Sequence, residues 1–197
     1  ADPYDSNGDG ISGVPQWNYL PGFITPNANS VSQDGKYICR FGKKAAAYNL
    51  LHQTVNAYNQ DMGIASSFEP YDVYSLHEID PEVSNQTVYD VVFYLQTLKA
   101  PMQRNQNDPE VNNGKQVFSN IGCNSCHKET LKTGYSAITE LSNKEIHPYT
   151  DLLLHDMGSG LDDGYTEGNA KTYEWRTPPL WGLGLSPNAQ GGSYFLL

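Results

Sequence analysis

Apolar positions recur at helical spacing in three stretches of the chain and lose regularity between them. From Lys43 to Met62, Leu51, Val55, Tyr58 and Met62 fall on one face and Gly63 follows as a C-cap, so a helix is predicted there. His52 lies beside that face and reads as a satisfied or solvent-facing side chain rather than a metal ligand. A second helix is predicted from Asn85 to Lys99. Its stripe is Val88, Val91, Val92, Leu95 and Leu98, with Ser84 as N-cap and Pro101 beyond its end. The polar stretch 101–113 has almost no apolar periodicity. After it, Val111, Gly114, Val117, Phe118 and Ile121 predict a short helix running into Cys123. Residues 148–156 form one further apolar piece, helical or extended. Residues 1–40, rich in Asp, Asn, Gly and Pro, and most of 128–197 read as loop. With no repeat and no strong strand alternation, the predicted class is mainly α with long loops.

Composition narrows the function classes. The chain has 197 residues, 38% apolar and only 17% charged, with fourteen Tyr, which suits a globular protein with much ordered loop. The net charge is −10, and its twelve basic residues form no stripe, so the electrostatic footprint of nucleic-acid binding is missing. An acidic surface favours a basic protein partner or simple solubility. No apolar run approaches the roughly 20 residues that span a bilayer, and no basic-then-apolar signal segment opens the chain. Three cysteines argue against a disulfide framework. Cys39 stands alone and reads as a small, half-buried apolar residue.

The other two cysteines carry the chemistry. Cys123-Asn124-Ser125-Cys126-His127 is the pattern of covalent haem attachment. Two thioethers require cysteines three residues apart on one side of a turn, and the following His127 then presents its ring to iron as proximal ligand. A zinc knuckle would need a second ligand pair at close spacing, whereas His147 and His155 are isolated. A redox dithiol would need a βαβ setting. Haem c is therefore the cofactor expected here. For the sixth iron position, Met157 in the Gly-bounded loop Asp156–Gly160 is the candidate, with His155 as alternative and a core Met as the bland reading. Arg176 and Trp175, in a segment dense in aromatics and Pro, suit neutralising a propionate and walling the ring; Trp181 reads equally well as core. Near the start, Asp5, Asn7 and Asp9 alternate ahead of Gly10. With the Ile11 carbonyl they resemble the first half of a calcium loop, but Gln16 stands where its bidentate glutamate belongs, and an Asx/Gly turn explains the same residues.

Taken together, DSNGDGISGVPQW, RFGKKA, DMGIASS, VNNGKQVFSNIGCNSCH, PYTDLLLHDMG and EWRTPPLWGLG resemble the bacterial di-haem thiol-oxidoreductase-like family, relatives of the di-haem cytochrome c peroxidases. The resemblance implies two cytochrome c-like domains with one haem each. Residues 1–100 would be the later part of the first domain, 101–113 a linker, and 114–197 the second domain, truncated at its C-terminus. The family has another CxxCH upstream and continues into a His-Asp-Gly-Arg segment; this chain has neither, so a piece of a longer di-haem protein is expected. The implied function is a peroxidase-like oxidoreductase in which the haem at Cys123–His127 transfers electrons, with a plain electron-transfer cytochrome as alternative. Its partner would be a redox protein or a small electron donor. Its place would be periplasmic or exported, because haem c is attached outside the cytoplasm.

Overall fold

The protein is described by a computed structural model over residues 3–6, 8, 10–73 and 81–191. In chain order its elements are β1 (Gly13–Val14), β2 (Gln16–Asn18), β3 (Ser32–Gln33), β4 (Lys36–Cys39), α1 (Leu50–Asn56), α2 (Asn85–Thr97), α3 (Pro109–Asn120), β5 (Leu131–Lys132), β6 (Glu145–Ile146), β7 (Leu154–Asp156), β8 (Glu174–Arg176) and α4 (Ser186–Gln190).

The expectation of a mainly α, cytochrome c-like chain is overturned. Among the described residues the α-helices are only 7, 13, 12 and 5 residues long. The strands lie in small antiparallel pairs, and the remainder is turn and loop. Strands of two to four residues are too short to print an alternation on the sequence, which is why they went unseen.

The chain divides into two compact units. One comprises Ala1–Val14, Lys99–His155 and Thr177–Leu197; the other comprises Pro15–Leu98 and Asp156–Arg176. In the second unit, β4 lies between β2 and β3, with Trp17 opposite Ile38. Ile24, Cys39 and Tyr48 form its buried centre, with Leu20, Phe23, Tyr37 and Leu51 packed around them. Burial pushes the Cys39 thiol up to about 11, against a smaller opposing pull from Arg40 and Asn18.

Helix α1 begins seven residues later than the periodicity predicts. Ala45 is fully buried in the left-handed region at φ 57°, and Phe41 bridges Ala47, so the chain cannot be helical there. Asn49 caps the true start by accepting the His52 N–H at 2.9 Å. His52 in turn accepts the Tyr48 N–H on Nδ1 at 3.2 Å, and burial holds its pKa down. The helix passes into a π-helical turn over Ala57–Asp61, and Gly63 closes it at φ 66° with its N–H on the Asn59 carbonyl. Helix α2 matches its prediction closely: Ser84 accepts the Thr87 N–H at 3.1 Å, and Val88 and Val92 are buried.

Lys44 anchors this unit from inside. It is 2% exposed, and its ammonium donates to the carbonyls of Thr172 (2.9 Å), Lys171 (3.2 Å) and Glu174 (3.3 Å). It also pairs with Asp163 at 3.2 Å and lies 4.1 Å from the centre of the Trp175 ring.

In the first unit, α3 starts at Pro109, inside the stretch read as linker, with Asp108 accepting the Glu110 N–H at 2.8 Å. β1 runs antiparallel to β7, Gly13 opposite His155 and Val14 opposite Leu154, and β5 pairs with β6. Leu154 and Thr150 are its most enclosed side chains. No helix among the described residues is long and apolar enough to cross a membrane.

Candidate functional site

The cysteine motif follows α3 directly. Gly122, at φ 85°, turns the chain, and Cys123–Ser125 forms a single 3₁₀ turn closed by the Cys126 N–H on the Cys123 carbonyl, which also accepts the His127 N–H at 3.0 Å. Cys123 and Cys126 are both unbridged and half-buried on that turn.

What orients His127 is the segment 148–155, which sequence periodicity left ambiguous. It is not helical. Tyr149 and Leu152 are both left-handed, at φ 55° and 59°, a conformation that costs a non-glycine residue on the order of 1 kcal/mol or more and persists only under tertiary constraint. Thr150 supplies part of that constraint. It is fully buried, its hydroxyl donates to the Thr177 carbonyl at 2.6 Å, and its N–H donates to the Lys128 carbonyl at 3.0 Å. The Tyr149 carbonyl then lies 2.9 Å from His127 Nδ1. A carbonyl can only accept, so Nδ1 is the donor, and in the neutral tautomer it is Nε2 that carries the lone pair. Phe118, from α3, sets its ring edge-on to both His127 and Tyr149. Phe118 and Tyr149 also line a cavity of about 760 Å³ whose walls include Pro101, Met102, Leu180 and Trp181.

The same segment reaches Cys126. His155, buried on β7, has Nδ1 3.8 Å from Cys126 Sγ and Nε2 2.8 Å from Asp151 Oδ2. Burial alone would raise the Asp151 carboxyl. Hydrogen bonds from His155, the Leu153 N–H and Thr177 outweigh that and hold it below the ordinary carboxylate range. Gly13 faces the ring across the β1–β7 pair. A Cβ there would lie 2.8 Å from Leu153 Cδ1 and 2.9 Å from His155 Cε1, so the position requires the absence of a side chain. Gly13→Ala is expected to destabilise the protein by about 1–3 kcal/mol, as overpacking does. Thermal unfolding of the variant checks it, and an unchanged midpoint would show that the ring gives way freely.

The first unit thus gathers Cys123, Cys126, His127 and His155. Tyr149 and Asp151 join them, and neither was singled out from the sequence. Both act through geometry that no motif encodes: a backbone carbonyl, and a carboxylate four residues before a histidine. Met157, Trp175 and Arg176 belong to the second unit. Met157 is 49% exposed and its N–H donates to the Tyr173 carbonyl at 2.9 Å. Trp175 donates from Nε1 to the Leu161 carbonyl at 2.7 Å, and Arg176 from Nε to the Gly42 carbonyl at 2.8 Å. Of the calcium-loop residues, Asn7 and Asp9 lie outside the described residues. Asp5 accepts the Gly10 N–H on both carboxylate oxygens at 3.1 Å, and its carbonyl accepts the Gly8 N–H.

These residues fit a covalently held haem. Both sulfurs are unbridged on one turn, and the adjacent imidazole is oriented through Nδ1 by the Tyr149 carbonyl, which leaves Nε2 as the nitrogen that would face an iron. Comparison with known families agrees in kind. The family model described as "Di-haem oxidoreductase, putative peroxidase" matches residues 1–196. No curated protein and no solved structure matches the chain.

Proposed function

The chain belongs to the di-haem oxidoreductase family, and from that premise we propose that Cys123, Cys126 and His127 hold one of its haems as a covalently attached electron carrier. The observation that carries this reading is the 2.9 Å hydrogen bond from His127 Nδ1 to the Tyr149 carbonyl. Such an outer partner fixes the tautomer and raises the basicity of a metal-binding imidazole. When bound, haem supplies one-electron chemistry that no side chain of the chain offers. The protein's own part is to hold and orient. Two thiols tether, His127 offers Nε2, and Phe118 limits rotation of the ring. Attachment of this kind places the protein in an exported compartment, where it would meet a redox protein or a small electron donor.

Counting haems per chain by pyridine haemochrome on the full-length native protein, then mixing the reduced form with peroxide, tests the reading. Two haems and peroxide-dependent oxidation are expected. One observation favours a second reading: this chain holds a single CxxCH, as a plain electron-transfer cytochrome would. One haem with no turnover would decide for it. For the sixth iron position the proposal stays with Met157. His155 has its Nε2 on Asp151 and its Nδ1 beside Cys126, so neither nitrogen is at liberty. Met157→Ala is expected to abolish the long-wavelength sulfur-to-iron charge-transfer band of the ferric protein. A band that survives rules Met157 out.

A further inference from the structure

The cavity of the first unit abuts the cysteine turn. Phe118 lines it and sets its ring edge-on to His127, and Tyr149 lines it and offers its carbonyl to the same imidazole. Its volume of about 760 Å³ falls within the roughly 300–1,000 Å³ of sites that take small molecules and cofactors. Its wall includes the indole of Trp181 and two carboxylates, Glu129 and Glu145. Each carboxylate already has a basic partner: Lys115 Nζ lies 2.6 Å from Glu129, and His147 Nε2 lies 3.7 Å from Glu145.

Arg104 stands apart from these pairs. It is the single charged residue of the segment 100–106, five of whose seven residues line the cavity. Its exposed guanidinium donates from Nη2 to the Gly184 carbonyl at 3.4 Å, a long bond, and forms no ion pair among the described residues. Glycines make room for it. A Cβ on Gly182 would lie 2.9 Å from Pro101 Cγ, and one on Gly184 would lie 2.7 Å from Arg104 Nη2. The segments 101–104 and 182–184 approach this closely because neither glycine carries a side chain.

We propose that Arg104 receives a carboxylate of the haem at the mouth of this cavity, with the ring held inside. A guanidinium presents two parallel N–H donors that match a carboxylate, and Arg104 spends only one weak bond on the protein. Haem brings two carboxylates of its own, and beside Glu129 and Glu145 these need a cation to offset like-charge repulsion. Sequence expectation gave this role to Arg176, which belongs to the second unit and donates from Nε to the Gly42 carbonyl. The inference rests on the attachment reading above and deepens it, naming where the ring sits and what meets its charge.

The matured full chain tests it, because thioethers keep the ring in place whatever a variant does to its surroundings. Two quantities are read: the reduction potential, and the propionate-bending band in the resonance Raman spectrum, which moves with the hydrogen bonds the carboxylates receive. In Arg104→Gln the potential is expected to fall, because a cation that disfavours ferric iron is gone, and the band is expected to move. Arg104→Lys keeps the charge but loses the fork, so the potential should stay near the wild-type value while the band still moves. Gly184→Ala crowds Nη2 and should shift both quantities as Arg104→Gln does, by less. Wild-type values of both in Arg104→Gln, or the paired shifts in Arg176→Gln alone, would overturn the inference. So would a potential that moves while the band stays, since that reports charge acting at a distance rather than contact. Failure of the attachment reading looks different: wild type would then carry no covalent haem, whereas covalent haem with a silent Arg104→Gln sinks only the role of Arg104.

Discussion

Lys44→Met is expected to cost the second unit about 3 kcal/mol, because three backbone carbonyls lose their donor at once while the exposed Asp163 is left to water. Methionine matches the length of the lysine stem, so cavity formation adds little and the loss reports the ammonium itself. What disappears is the donor to three backbone carbonyls, the ion pair with Asp163 and the cation facing Trp175. The carbonyls of Lys171, Thr172 and Glu174 would be left facing a thioether, and unpaired buried acceptors are costly. At roughly 2–4 °C per kcal/mol for a chain of this size, the midpoint should fall by about 10 °C. Near-ultraviolet dichroism, to which Trp175 contributes, is the appropriate probe. A variant within about 1 kcal/mol of wild type would mean that the cage closes on itself and that the lysine merely fills it.

His127→Ala is expected to reduce the haem retained by the matured protein roughly tenfold or more. Loss of an outer partner alone costs about 10–100-fold in metal affinity, and removing the donor nitrogen should cost at least as much. The cysteines would still be present, so whatever haem remains should resist acid-acetone extraction yet lack the visible spectrum of a histidine-bound iron. Haem content per chain and the ferrous absorption spectrum check both halves. Wild-type content and spectrum in the variant would remove His127 from the axial position.

How much of this was legible depends on how local the cause is. The family was legible because its motifs recur in order along the chain, and the family model spans residues 1–196; the cysteine motif is readable because it occupies five consecutive residues. α2 was legible because its cap is local and Val88 and Val92 of its stripe are buried, although Leu95 and Leu98 stay exposed. α1 was misplaced because Ala45 takes a left-handed conformation enforced by its burial, which no propensity foresees. The 148–155 segment is the sharpest case. Asp151 and His155 have helical spacing, yet left-handed Tyr149 and Leu152 make the chain a folded extended piece that delivers a carbonyl to one histidine and a carboxylate to another. Lys44 gave no sign at all. It sits in an Ala-rich stretch, and the carbonyls that hold it come from as far as 130 residues away.

The chain carries three thiols, and on the attachment reading proposed above two of them react with haem while one must not. Cys39 is buried beneath Tyr48 and Ile24 with its pKa pushed up to about 11, so at neutral pH it is almost wholly the unreactive thiol. The hydrophobic centre of the second unit therefore acts as a protecting group. It withholds the surplus sulfur from stray oxidation and from competing electrophiles while the partly exposed pair is in play. Its protection lasts only as long as that unit stays folded.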